Sequence, residues 1–201
     1  MENGLILASK SPRRLALLKQ MSLDFDTIPS KVEENSIEGE SPEGHVLRLA
    51  RAKAFDVGVQ YPHCWVVAAD TIVRVDDSVL GKPKTQEEAI EMLTRLSGRD
   101  HSVLTGFSVL HLVKEAEDRQ AVKTAVKVKR LTRSEMKWYV QTGEPFDKAG
   151  AYAIQGIGAF MIESIQGSYT NVVGLPMCEL IQMMTRLGAL SISEFGIRIT
   201  E

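Results

Sequence analysis

Residues 65–69, Trp-Val-Val-Ala-Ala, form an unbroken apolar run that stops at an acid, Asp70. A run without polar alternation marks a strand covered on both faces, so this chain needs helices on each side of a sheet. The apolar pattern resumes with Ile72-Val73 and reaches a turn at Asp76-Asp77-Ser78. Asp70 is therefore expected at the end of a buried strand, where open α/β sheets place their ligand crevice. A carboxylate there is costly unless it meets a metal or another cation.

The rest of the chain supplies the helices. Residues 5–8 read as a short buried strand, followed by a break at Ser9-Lys10-Ser11-Pro12. Ser11 suits a helix N-cap and Pro12 its first turn, with the helix running to about residue 21. Ser41-Pro42-Glu43 repeats this chemistry. Its helix has an inward stripe of Val46, Leu49, Ala50, Ala54 and Val57, and Lys53 falls on that stripe at i+7 from Val46. Thr85 with Glu88, and Thr132 with Glu135, read as capping boxes of two further helices, stopped near Gly98 and Gly143. Residues 103–113 read as a strand, 114–120 as a charged loop, and 122–128 as a strand with one wet face, together an antiparallel hairpin. Residues 159–165 form another strand. Pro176 opens a last helix ended by Gly188, and 189–201 is a tail of weak strand character. The fold class is α/β, a mixed central sheet with flanking helices, in one domain over 1–201.

Composition removes several function classes. Lys plus Arg is 24 and Asp plus Glu is 26, a net charge of −2, which gives no general attraction to nucleic acid or an anionic membrane. No apolar stretch approaches the ~18 residues of a membrane span. The start, Met1-Glu2-Asn3-Gly4, lacks the basic region of a signal peptide. Cys64 and Cys178 lack CxxC spacing and read as reduced thiols in apolar surroundings, consistent with the cytoplasm. His45, His63, His101 and His111 lack metal-ligand spacing and read as structural or surface residues. Lys123, Lys127 and Lys129 read as a solvated strand face.

Four features carry possible chemistry. Ser9, Ser11, Arg13 and Arg14 lie at a strand-to-helix turn, where backbone N–H groups and the helix dipole favour an anion and arginines match phosphate oxygens. An ordinary capped helix with solvated arginines fits the same residues. Asp70, with Glu33 or Glu34 from a loop-like segment, offers the carboxylates that suit magnesium or manganese. For Glu33 alone, a surface acid is the simpler reading. Lys53 and Lys82, the latter in Gly81-Lys82-Pro83, would with Arg13 offset a triphosphate of about −4 near neutral pH. Gln155 lies in a glycine-rich stretch and can present both a donor and an acceptor to a base edge; hairpin turns explain the glycines equally well.

Residues 7–14 (Leu-Ala-Ser-Lys-Ser-Pro-Arg-Arg), Ala69-Asp70-Thr71, Gly81-Lys82-Pro83, residues 150–156 (Gly-Ala-Tyr-Ala-Ile-Gln-Gly) and residues 171–176 (Asn-Val-Val-Gly-Leu-Pro) resemble, in order, the motifs of the Maf family of nucleoside triphosphate pyrophosphatases. The resemblance covers nearly the whole chain. It implies two lobes around a deep groove and hydrolysis of a nucleoside triphosphate to the monophosphate and pyrophosphate with a divalent cation. It implies Asp70 as proton acceptor, Glu33, Lys53 and Lys82 as polar groove residues, and Asp70 with Glu33 as metal ligands. Arg13, Thr71 and Gln155 resemble the branch that acts on dTTP and UTP; the 7-methyl-GTP branch has Trp, Gln and Glu there. The alternatives are that sister activity and a nucleotide-binding regulator of septum formation. The expected partner is the nucleotide, without nucleic acid or membrane, and with room for a homodimer.

Overall fold

The structure, a computed structural model, describes residues 4–191. Its elements run β1 (Leu5–Leu7), α1 (Pro12–Lys19), β2 (Asp26–Thr27), α2 (Pro42–Gly58), β3 (Trp65–Val75), β4 (Ser78–Leu80), α3 (Gln86–Leu96), β5 (Asp100–His111), β6 (Ala116–Val128), α4 (Arg133–Gln141), β7 (Ile162–Gln166), α5 (Tyr169–Val173) and α6 (Met177–Leu187). Short 3-10 turns at Glu144–Asp147, Ala149–Ala151 and Gly156–Met161 join α4 to β7. The strand order is β2-β1-β3-β5-β6-β7, with β4 paired to β3 off this path. β1 is parallel to β2 and β3, whereas β4 is antiparallel to β3 and β7 to β6, so the sheet is mixed, as expected.

The caps follow the sequence. Ser11, Ser41, Thr85 and Thr132 each accept the backbone N–H three residues on, which contributes ~1 kcal/mol per helix. Glu135 completes the reciprocal box on α4. Glu88 instead reaches back to the Lys84 N–H, so the box expected at Thr85 is half made.

Other expectations are corrected. β3 does not pause at Asp70-Thr71 but runs through them to Val75, so Asp70 lies inside a strand rather than at its end. The acid is carried through because a lysine meets it. β6 begins at Ala116, so most of the charged stretch 114–120 is strand; its turn places Glu115 at φ 51. Residues 159–161 belong to a 3-10 turn that precedes β7. Cys178 is exposed rather than set among apolar groups. From residue 192 on, the tail expected to have strand character lies outside the described residues.

The chain divides into two compact units. The first comprises the described parts of Met1–Asp70, Gly106–Ala121 and Gly174–Glu201. Here Ala54 and Val57 of α2 pack with Ile6, Val66, Ala68 and Leu110 of the strands. Side chains alternate along a strand, so Leu7, Val67 and Ala69 form the opposite row, and both rows are fully buried. Burial of each valine or leucine contributes ~1.5–3 kcal/mol. A Cβ at Gly106 of β5 would stand 2.5 Å from the carbonyl of Val46, so only glycine lets strand and helix come this close.

The second unit comprises Thr71–Thr105 and Val122–Val173. Its core joins Ala89, Leu93 and Leu96 of α3 and Met136, Tyr139 and Val140 of α4 to Val73, Leu80, Val126 and Val128 of the strands.

Candidate active site

Strand parity places Asp70 in the row of Val66 and Ala68, which faces α2. Lys53 is on the buried stripe of α2. Its ammonium donates to Asp70 Oδ1 at 2.8 Å and to Glu34 Oε1 at 2.5 Å. The Lys53 and Asp70 side chains are each only 9% exposed. Such a pair persists in the interior because each charge is compensated, and removing one partner strands the other.

The second carboxylate at this ammonium is Glu34. Glu33 is exposed and accepts a hydrogen bond from the Asn35 amide at 2.9 Å. Glu34, itself half-exposed, reaches the Lys53 ammonium, whereas Glu33 is held by Asn35.

The β1–α1 turn lies in the same unit. Ser9 is buried, and its Oγ accepts from the Ser11 N–H at 3.1 Å. Ser11 Oγ in turn accepts from the Arg14 N–H. Arg14 Nε donates to the Gly174 carbonyl and Nη1 to the Ala69 carbonyl, both at 2.8 Å. Arg14 therefore braces the backbone just before Asp70. Burial lowers the pKa of its guanidinium, opposed by the charges of Asp70 and Glu34, while Arg13 lowers it further. These groups thus share one electrostatic neighbourhood. Arg13, half-buried on the first turn of α1, adds a cation where the helix dipole already favours an anion.

The remaining sequence-derived residues belong to the second unit. Thr71 Oγ1 lies 2.9 Å from Thr105 Oγ1, and Thr105 donates to the Asn171 carbonyl at 3.2 Å. Its proton so committed, Thr105 accepts from Thr71. The Asn171 amide donates to the Val103 carbonyl and to Thr124 Oγ1. This network carries no formal charge. Lys82 is exposed on a loop whose Gly81 carbonyl accepts from the Gly150 N–H at 2.9 Å. Gln155 is half-buried and opens the Gly156–Met161 turn.

The buried histidines serve structure. His101 Nε2 meets the Tyr152 hydroxyl at 2.6 Å, and burial pushes its imidazole down to about 4. His111 stacks edge-on against Trp65 with ring centroids 4.9 Å apart.

Among the described residues, no group of three or more His, Cys, Asp or Glu side chains is arranged to hold a metal. Magnesium does not need one, since it is commonly bound by one or two carboxylates with waters and substrate phosphates. Asp70 and Glu34, converging on one ammonium, fit that donor set.

Residues 4–187 match the family model described as Maf-like protein. A "dTTP/UTP pyrophosphatase" of Syntrophotalea carbinolica is 48% identical, over 94% of this chain and 86% of its own. Proteins of the same name from Geotalea uraniireducens (47%, over 94% and 97%) and Symbiobacterium thermophilum (50%, over 92% and 94%) are equally similar. A solved structure titled "The structure of the Staphylococcus aureus Ham1 protein" overlaps with a TM-score of 0.45 at 14% identity, over 96% of this chain and 90% of that one. With its motifs in order and one family model spanning nearly all of the described residues, the chain belongs to the Maf-like protein family.

Proposed function

We propose that this protein hydrolyses dTTP and UTP to the monophosphate and pyrophosphate, clearing them or their modified forms from the nucleotide pool. The observation that carries the chemistry is the buried Asp70 carboxylate, which shares the Lys53 ammonium with Glu34. The relatives named dTTP/UTP pyrophosphatase supply the substrate class.

In this reading water attacks the α-phosphorus, the bond from that phosphorus to the bridging oxygen breaks, and pyrophosphate leaves. Asp70 takes the proton from the attacking water. Lys53 holds the Asp70 carboxylate in place, and Arg14 fixes the strand that carries it. Arg13 and Lys82 supply positive charge to the polyphosphate, with Ser9 and Ser11 shaping the turn that receives it. Asp70 and Glu34, or Glu33 in its place, would hold a magnesium or manganese ion, which when bound neutralises phosphate charge. Thr71 and Gln155 select the base. A glutamine presents both donor and acceptor to the O4 and N3–H edge of uracil or thymine, whereas a glutamate has acceptors alone. Arg13 offers no flat aromatic surface for a cationic methylated base.

The setting is the cytoplasm, with a nucleotide as partner, neither nucleic acid nor membrane, and with room for a homodimer. Among the described residues no helix is long and apolar enough to cross a membrane. Purified protein with magnesium and dTTP, UTP or 7-methyl-GTP provides the test. Pyrophosphate should be released, with kcat/KM for dTTP and UTP at least ~10-fold above 7-methyl-GTP. A chelator should abolish release, and magnesium or manganese should restore it. Nucleotide binding without pyrophosphate release would instead identify a regulator, and equal or better turnover of 7-methyl-GTP would refute the substrate assignment.

A further inference from the structure

Gln155 opens a loop that rests on a carboxylate. Glu144 Oε2 accepts from the Ile157 N–H at 3.0 Å, and Oε1 accepts from the Gly158 N–H at 2.9 Å. Oε1 also accepts from the hydroxyl of Tyr139, a fully buried residue of α4, at 2.9 Å. The loop lies hard against this support. Gly156 has φ +71, and a Cβ there would stand 2.7 Å from Glu144 Oε2. A Cβ on Gly158 would stand 2.5 Å from the Ala153 carbonyl oxygen and 2.7 Å from the Tyr139 hydroxyl. Three hydrogen bonds fix the Glu144 carboxylate, so it cannot swing aside as a free side chain would. Burial by itself would raise its pKa. The N–H groups of Gly158 and Ile157, the Tyr139 hydroxyl and the charge of Lys148 outweigh this and hold it below the ordinary value. Hydrogen bonds to an ionised acceptor are roughly twice as strong as neutral ones.

This matters for the amide two residues before Ile157. A glutamine amide turned over presents the reversed donor–acceptor pair, which suits cytosine as well as the first orientation suits uracil. Selection of uracil therefore needs a backbone that fixes where the amide starts and which face it shows. We propose that Glu144, braced by Tyr139, is a positioning residue for base selection, setting the place from which Gln155 meets the nucleobase. This rests on the reading of Gln155 as the residue that meets the base.

The readout is the ratio of kcat/KM for UTP to that for CTP, which differ at the edge in question. A merely structural support would lower the melting temperature and leave this ratio alone. Glu144→Gln keeps the shape but replaces one acceptor oxygen by a donor group facing N–H donors. It should lower the ratio about tenfold, mainly by raising KM for UTP, with kcat at saturation changed less than about threefold. Tyr139→Phe removes one donor and keeps the ring, and should shift the ratio the same way by about two- to threefold. Tyr139→Phe also carries the test if the Glu144 variant fails to fold. In a Gln155→Ala background, Glu144→Gln should change the ratio no further. If Gln155→Ala lowers the ratio but the Glu144 and Tyr139 variants do not, the positioning role is overturned while the base reading stands. Additive effects of Glu144→Gln and Gln155→Ala would also overturn it. If Gln155→Ala itself leaves the ratio unchanged, the base reading fails and the positioning role fails with it.

Discussion

Asp70 and Thr71 are neighbours on β3, yet their surroundings are opposite in kind. Asp70 ends in a cluster of full charges: it is buried together with Lys53, the half-exposed Glu34 meets the same ammonium, and Arg14 lies within electrostatic reach. Thr71 joins a chain of neutral groups, Thr105, Asn171 and Thr124. Charges buried together are expensive to separate and can stabilise a developing charge, which is what hydrolysis of a triphosphate requires. Neutral hydrogen bonds are worth ~1 kcal/mol each but are directional, which is what recognition of a base requires. In the proposed function this contrast corresponds to a division of labour, with chemistry assigned to Asp70 and choice of substrate to Thr71 and Gln155.

The largest expected effect breaks the charged side. Asp70→Asn keeps the shape and removes the proton acceptor of the proposed mechanism, so steady-state pyrophosphate release should fall ~10²–10⁴-fold, or about 3–5 kcal/mol of transition-state stabilisation. A variant that kept more than about a tenth of the wild-type kcat would remove Asp70 from the mechanism. Lys53→Met should cost ~3–5 kcal/mol of folding stability by chemical denaturation, because it leaves the buried Asp70 without its cation. The double variant with Asp70→Asn should lose less than the sum of the two.

The second unit has its own weak point in acid. His101 titrates near 4 in the folded chain because burial disfavours its charged form, against 6.5 for the ordinary imidazole. The unfolded chain takes up this proton first, so stability is lost as pH falls from about 6.5 to about 4, by about 3 kcal/mol in all. Denaturation midpoints should show the gap between wild type and His101→Gln shrinking across that window. A constant gap would mean that the histidine takes up its proton as readily in the fold as in the unfolded chain. The smallest effect is expected in the neutral chain. Thr105→Val leaves Thr71 facing a methyl group and should cost ~1–2 kcal/mol, with part recovered when Thr71→Val is added. A loss as large as that of Lys53→Met would erase the contrast between the two sides.

The elements that periodicity governs were legible beforehand. The 65–69 run, the serine and threonine caps and the Lys53 position on the stripe of α2 all follow from local spacing. The continuation of β3 through Asp70 was not legible, because an acid inside a strand is tolerable only once a lysine from α2 is known to meet it. The choice of Glu34 over Glu33 was hidden for a similar reason: the segment around residue 33 has no regular structure and hence no period that assigns a face. Lys53 was the available signal, since an inward lysine demands a carboxylate. Glu144 carries no local sequence signal because its N–H donors lie 13 and 14 residues further on, across irregular turns.

The division of labour is tested most directly by kcat/KM for UTP and CTP measured side by side on wild type and Asp70→Asn. If Asp70 serves chemistry alone, both values fall by the same factor and their ratio stays within about twofold of wild type. If the ratio collapses along with the rate, Asp70 takes part in choosing the base, and the separation of chemistry from selection is wrong.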